Sequence, residues 1–263
     1  RMFLDLIIRF QRMINLKFVG GLSVKKYSDA RDAIFEELYE IAKKDRNVIL
    51  LTADTGAMAF RDFQENIPDQ FYNVGIAEQN MISVACGLAK EGKKVFVYGI
   101  SNFVTLRCLE QIRLDICAMN LPVTIIGSGT GYTYSSDGVT HHMTDDLSVM
   151  RVFPNLTIFS PSDLVSCACF VHAACKNSGP VYLRFDRGVA DEIYTLGVLN
   201  VPTMCNLKMQ ENSKSVIVST GVMTKEALKI SIFLHKEGLD VDVIDVLQIK
   251  PFDGATFLEM VGD

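Results

Sequence analysis

The chain has 263 residues, enough for one large domain or two smaller ones. Hydrophobic residues make up 49% and charged residues 22%, a balance that excludes wholesale disorder and can bury a core large enough for an enzyme. The net charge of −5 argues against a sequence-independent grip on nucleic acid, which needs a basic face.

Residues 1–27 open with an apolar stretch, Met2 to Ile8, interrupted by Asp5 and followed by Arg9, Arg12 and Lys17. No uninterrupted apolar run reaches the roughly 20 residues of a spanning helix. Phe3, Ile7, Phe10 and Ile14 recur at helical spacing, which predicts an amphipathic extension docked on the body or on a partner. A helix lying on a membrane surface is the other reading. No small-residue cleavage site follows, so a signal peptide is not expected.

Asp29 is an N-cap signal ahead of Ile34, Leu38, Ile41 and Ala42, and predicts an amphipathic helix. Residues 47–53 form a short buried-strand run. Residues 78–90 read as a helix ending at Glu91-Gly92, and 95–100 as a strand. Residues 104–120 place Leu109, Ile112 and Ile116 on one helical face. A strand over 123–126 runs into Gly127-Ser128-Gly129-Thr130-Gly131. Residues 156–159 and 181–185 are further strands, with a helix over 163–176 between them. This alternation predicts an α/β fold with a mostly parallel sheet over residues 28–187, and sites at the carboxyl ends of its strands.

Residues 188–213 are polar, carry Pro202, show no period and read as a linker. A fresh β-α-β start then appears: 215–219, 224–236 and 240–246. About fifty residues make a poor independent core, so 214–263 is expected to be the start of an incomplete second domain. Either it leans on the first domain or the natural protein is longer.

The seven cysteines are an odd number, scattered through apolar segments. They read as reduced core thiols of a cytoplasmic protein. Cys167-Ala168-Cys169 lacks zinc-site spacing, and no metal site is expected from this chain's own residues.

Candidate chemistry clusters at the predicted strand ends. The glycine-rich run 127–131 reads as a flexible βα loop, since no helix opens there as a dinucleotide fingerprint requires. Asp137-Gly138-Val139-Thr140-His141-His142 puts an acid and two imidazoles beside that loop. Tyr72-Asn73-Val74-Gly75-Ile76-Ala77-Glu78-Gln79-Asn80 places Glu78 at a helix start, where an acid ordinarily just complements the helix dipole. Arg31, Arg184 and Arg187 would by default be surface charges. The residues alone lead to an enzyme-like α/β domain and no further.

Asn73-Val-Gly-Ile-Ala-Glu-Gln79, Asp137-Gly-Val-Thr-His141 and Val152-Phe-Pro-Asn-Leu-Thr-Ile-Phe-Ser-Pro-Ser-Asp163 together resemble the transketolase-type, thiamine-diphosphate-dependent enzymes. The resemblance covers the pyrimidine-binding domain, continues into the C-terminal domain from Ser215, and is nearest in kind to the separately encoded C-terminal half of a split transketolase.

The resemblance implies roles for individual residues. Glu78 matches the catalytic glutamate that hydrogen-bonds the cofactor's aminopyrimidine N1′ and favours the tautomer that generates the reactive carbon. His141 matches the histidine that contacts donor hydroxyls and helps move protons, and Asp137 the acid that recognises a substrate hydroxyl. His142 stands where relatives often carry glutamine, and Val139 where they often carry proline. Phe103 matches the aromatic stacked on the pyrimidine, with Tyr72 a lesser candidate for that pocket. Asp54 resembles a strand-end acid lining the thiazole region. Arg31 and Arg184 fall where transketolases grip the substrate phosphate, and Arg187 could substitute.

Two departures stand out. Relatives carry a histidine in the loop before the D-G-x-T-H motif, and Ser128-Gly129-Thr130 has none. The G-D-G with a distant Asn that holds Mg²⁺ and the diphosphate is absent from this sequence. The resemblance therefore implies a partner polypeptide carrying that half and binding Mg²⁺, in a heterotetramer of two such chains and two partners. It implies transfer of a two-carbon ketol unit from a ketose, phosphorylated or not, to an aldose. A 1-deoxyxylulose-5-phosphate-synthase-like subunit or a 2-oxo-acid-dehydrogenase E1 β-like subunit are rival readings. A non-catalytic relative is disfavoured by the retained Glu78. Neither nucleic acid nor membrane is expected as a partner.

Overall fold

The computed structural model describes residues 27, 29–186, 193–194, 203–207 and 213–261. The N-terminal extension, apart from Tyr27, and Arg187 lie outside the described residues.

Helix α1 (Ala30–Ala42) starts where the Asp29 side chain accepts from the Asp32 amide. It leads to β1 (Val48–Thr52), α2 (Phe60–Asn66), β2 (Phe71–Asn73), α3 (Glu78–Lys90) and β3 (Lys94–Ile100). Next come an irregular helical segment over 101–117 and β4 (Val123–Ser128). Then follow α4 (Asp146–Met150), β5 (Thr157–Phe159), α5 (Leu164–Lys176) and β6 (Val181–Phe185). Strands β1 to β6 are parallel, in the order β5-β6-β4-β3-β1-β2.

Strand alternation feeds two apolar layers. Leu50, Phe96, Ile126 and Leu183 face one side, against Phe35 and Leu38 of α1 and Phe170 of α5. Leu51, Val97 and Ile125 face the other, against Met81, Ile82 and Ala85 of α3. With helices on both faces, strands such as β1 and β4 are buried along their whole length.

The continuous helix expected over 104–120 is broken instead. A short helix Ser101–Val104 gives way to a 3₁₀ turn Leu106–Cys108, a turn Leu109–Gln111 and a π-helix Ile112–Cys117. Thr105, with its hydroxyl bonded to the Ser101 carbonyl, takes φ −115° and ψ −77° and ends the first piece. At the end of the π-helix the Cys117 carbonyl accepts from the Asn155 side chain and the Asn120 amide.

The stretch 188–213, expected to be an irregular linker, contains strand β7 (Met204–Leu207). It pairs antiparallel with β9 (Val241–Val246), which also pairs in parallel with β8 (Ser215–Ser219). Helix α6 (Met223–Lys236) joins β8 to β9. Four residues, Met-Cys-Asn-Leu, are too short a pattern for the strand to be read without its partner.

After β9 the chain returns to the first sheet. Strand β10 (Gln248–Lys250) pairs antiparallel with β5, and helix α7 (Gly254–Val261) follows. The second unit thus leans on the first. A buried polar joint reinforces the docking. Asp245 of β9 accepts from Ser162 Oγ at 2.7 Å, Thr224 Oγ1 at 2.8 Å and the Tyr194 hydroxyl at 2.6 Å. Three hydroxyls from three segments converge on one carboxylate.

Candidate functional site

The carboxyl ends of β1, β2, β3 and β4 converge on one edge of the parallel sheet, where this fold class builds sites. Beyond β2, Gly75 turns the chain with φ +75°, a conformation that favours glycine. Ala77 ends the turn, and Glu78 opens α3 as its first residue. The carboxylate of Glu78 is buried, its side chain only 7% exposed, at the positive end of a helix. An ion pair at 2.8 Å joins its Oε2 to Nη1 of Arg107. Oε1 has no partner among the described residues.

Phe103, just beyond β3, stands beside this pair. The Arg107 guanidinium carbon lies 4.1 Å from its ring centroid. His141, in the loop after β4, meets the same ring edge-on at 5.0 Å, and Tyr134 approaches His141 at 6.2 Å. The imidazole is oriented by its neighbour: Thr140 Oγ1 lies 3.0 Å from Nδ1. The Thr140 carbonyl accepts from the Asn102 amide at 2.6 Å, which ties the β4 loop to the β3 segment. Glu78, Phe103 and His141, three expectations from three separate strand ends, are therefore brought into one cluster through Arg107.

His142 and Asp137 flank the cluster. His142 packs edge-on against Tyr132 at 5.0 Å and its Nε2 lies 3.3 Å from the Ser135 carbonyl. Asp137 is exposed, in the turn Ser135–Asp137. Asp54 sits beyond β1 with φ +57°, held by Asn73: its amide donates to Asn73 Oδ1 at 2.9 Å, and the Gly75 amide donates to the same oxygen at 3.0 Å. Asn73 thus fastens the ends of β1 and β2 together.

Other residues are placed elsewhere. Tyr72 is exposed at the sheet edge, its hydroxyl bonded to the Asp69 carbonyl, with no ring contact to the cluster among the described residues. Arg184 is not a free cation. Its Nε donates to Asp146 Oδ2 at 2.6 Å, its Nη2 to Asp146 Oδ1 at 3.3 Å and its Nη1 to Ser160 Oγ at 3.0 Å. Burial pulls its pKa down, but Asp146 outweighs that and holds it above the ordinary value. All three guanidinium nitrogens are thus spent on the protein. Arg31 differs: its nearest acid is Asp29 at 3.7 Å, and its buried Nε lacks a partner.

Two contributors escaped the sequence reading, Arg107 and Asn73. The usable signal for Arg107 was its spacing, four residues after Phe103, but a surface arginine has the same signature. Arg107 also lines a groove of about 1080 Å³ with Leu109, Arg113, Leu114 and Phe153. The nearby Cys108 is no nucleophile: burial, then the Glu78 charge, pushes its thiol up to about 12. Among the described residues no group of three or more His, Cys, Asp or Glu could hold a metal ion, and no helix is long and apolar enough to cross a membrane.

Residues 26–191 match the family model of the transketolase pyrimidine-binding domain, and residues 206–263 that of the transketolase C-terminal domain. The chain belongs to the transketolase family. It is 32% identical over 229 residues to a putative transketolase C-terminal section of Methanocaldococcus jannaschii, covering 86% of this chain and 72% of that protein. It is 37% identical over 227 residues to 1-deoxy-D-xylulose-5-phosphate synthase of Carboxydothermus hydrogenoformans, covering 86% of this chain and 36% of that enzyme. The fold superposes on a split-gene transketolase described as an inactive β4 tetramer, with TM-score 0.79 and 32% identity over 89% of this chain and 76% of that one. This transketolase chain corresponds to the C-terminal section of the split enzymes. The family it belongs to depends on thiamine diphosphate.

Proposed function

We propose that this chain is the pyrimidine-half subunit of a split transketolase. Paired with a subunit carrying the diphosphate half, it moves a two-carbon ketol unit from a ketose to an aldose. The observation that carries this reading is the buried Glu78 carboxylate with one oxygen tied and one free, walled by Phe103 and faced by His141.

These residues fit thiamine diphosphate by the chemistry of the donor set. A flat, partly apolar ring needs an aromatic wall, which Phe103 offers. A ring nitrogen needs a fixed carboxylate partner, which Oε1 of Glu78 offers. When bound, the cofactor supplies a nucleophilic carbon and an electron sink. The chain's own work is proton placement and orientation. Glu78 holds a proton at the ring nitrogen. His141, fixed through Nδ1, uses Nε2 to take or return a proton at a donor hydroxyl. Asp137 is assigned to a substrate hydroxyl and Asp54 to the cofactor, with His142, which follows His141 in sequence, a further substrate contact.

Arg31 is the guanidinium that can grip a phosphate, because its Nε lacks a partner while Arg184 is committed to Asp146. Mg²⁺ and the diphosphate are assigned to the partner, in a heterotetramer of two chains of each kind. That a related assembly of four β chains is described as inactive supports a need for the partner. The enzyme is proposed to work in carbohydrate metabolism in the cytoplasm.

The test is a donor screen on the reconstituted two-subunit complex. Thiamine-dependent turnover of xylulose 5-phosphate or another ketose without CO₂ release is expected. In the same complex Glu78→Gln should lower kcat by about 10² to 10⁴-fold. Turnover by this chain alone, or full activity of the variant, overturns the proposal. The similarity to the synthase supports a second reading, which pyruvate consumption with CO₂ release would establish.

A further inference from the structure

The mechanism above leaves one charged residue of the cluster unused. Arg107 sits in the 3₁₀ turn Leu106–Cys108, with its side chain 44% exposed. Its backbone is fastened to α3, since the Arg107 carbonyl accepts from the Gln79 side chain at 2.9 Å. Gln79 directly follows Glu78 in sequence. The Arg107 guanidinium makes two contacts at once: Nη1 on Glu78 Oε2 at 2.8 Å, and the planar group over the Phe103 ring at 4.1 Å. The Cys108 thiol, on the next residue, donates to the Phe103 carbonyl at 3.2 Å. The same short turn therefore grips both the acid and the aromatic wall.

A free carboxylate can rotate and exchange its oxygens. Tied at Oε2, Glu78 can offer only Oε1. A guanidinium suits this task because its donors lie in a rigid plane, so that one group can bond a carboxylate edgewise and lie flat on a ring. Lysine has the charge but not the plane. Methionine fills similar space with neither.

We propose that Arg107 is a positioning residue for ketol transfer, which sets the Glu78 carboxylate and the Phe103 ring in fixed relation. This rests on the reading of Glu78 as the cofactor's proton partner. It acts through Glu78, so its loss should slow activation of the cofactor's reactive carbon while leaving donor binding alone.

The experiment uses the two-subunit complex with wild type, Arg107→Met, Arg107→Lys and Glu78→Gln. Four quantities are read: thiamine diphosphate affinity by calorimetry, hydrogen–deuterium exchange at the bound cofactor's reactive carbon by quench and proton NMR, kcat, and donor KM. Arg107→Met is expected to slow exchange and kcat together by about 10². Donor KM should stay within roughly threefold, since no part of the donor site is removed. Arg107→Lys should recover part of the exchange rate. Exchange in Arg107→Met at the wild-type rate, with Glu78→Gln slowed, overturns the proposal and leaves the role of Glu78 standing. Exchange at the wild-type rate in Glu78→Gln overturns both. If the methionine variant does not fold, the lysine variant decides: wild-type exchange in it overturns the proposal, and slowed exchange with wild-type melting supports it.

Discussion

Arg184 and Arg31 carry the same guanidinium, yet their surroundings differ. Arg184 lies between Asp146, which is 2% exposed, and Ser160, with all three nitrogens engaged. Arg31 keeps a buried Nε without a partner. The difference predicts opposite phenotypes. Arg184→Met leaves Asp146 as an uncompensated buried charge, which should cost about 3–5 kcal/mol in a denaturant titration. Arg31→Met should leave stability nearly unchanged and raise KM for a phosphorylated donor. A stable Arg184→Met protein would disprove the structural assignment. Glu78 and His141 could be proposed from their motifs and Phe103 from its place after the strand at 95–100, and the structure groups the three. Arg107 could not be proposed in this way, because nothing in its local sequence separates it from a solvated charge.

At the scale of elements, agreement was best where a local signal closed the element at both ends. Helix α3 runs from Glu78 to Lys90 as read, and β6 from Val181 to Phe185. Helix α5 owes its start to Asp163, whose Oδ1 accepts from the Ser166 amide at 2.7 Å in a capping box. The other oxygen of Asp163 accepts from the amides of Ile193 and Tyr194 at 2.8 and 2.7 Å. One side chain thus starts a helix and holds a distant segment. Asp163→Ala should therefore cost about 2–4 kcal/mol, more than a surface cap, and speed amide exchange at Ser166 and Cys167. An effect under about 1 kcal/mol would mean that water replaces these bonds freely. The continuous helix predicted over 104–120 differs from the broken one because Leu109, Ile112 and Ile116 keep helical spacing across a short turn and a π-helix alike. Periodicity reports which side is apolar, not how the backbone gets there.

Across the whole molecule, the joint at Asp245 couples the two sheets. Burial pushes its carboxyl up to about 6, against three hydroxyl donors that pull it down, with buried Asp163 adding a smaller upward push. The folded state therefore binds this proton more tightly than the unfolded chain. The resulting stabilisation is full below the unfolded value, near 3.8, and is lost as pH rises through about 6. A shift of this size is worth at most about 3 kcal/mol. Asp245→Asn should remove that part of the pH dependence, flattening melting temperature between pH 4 and pH 7 relative to wild type. Identical pH profiles for the two proteins would refute the joint's role. The linker boundary belongs to this scale as well: β7 exists as a strand because β9 is beside it.

By itself, the sequence determined the α/β class, the parallel sheet and the family, and it named the residues proposed here for the site. Alternating apolar runs, caps and motif spacing are local properties, and each can be read within a few turns of chain. Only the tertiary structure decided which charges are spent and which are free. It put Arg107 on Glu78, closed Arg184 onto Asp146, left Arg31 Nε without a partner and bound β10 to β5. The physical reason is distance along the chain. Arg107 follows Glu78 by 29 positions, and β10 lies some ninety residues beyond β5. A charge's role is set by its nearest neighbour in space, and no local pattern records that neighbour.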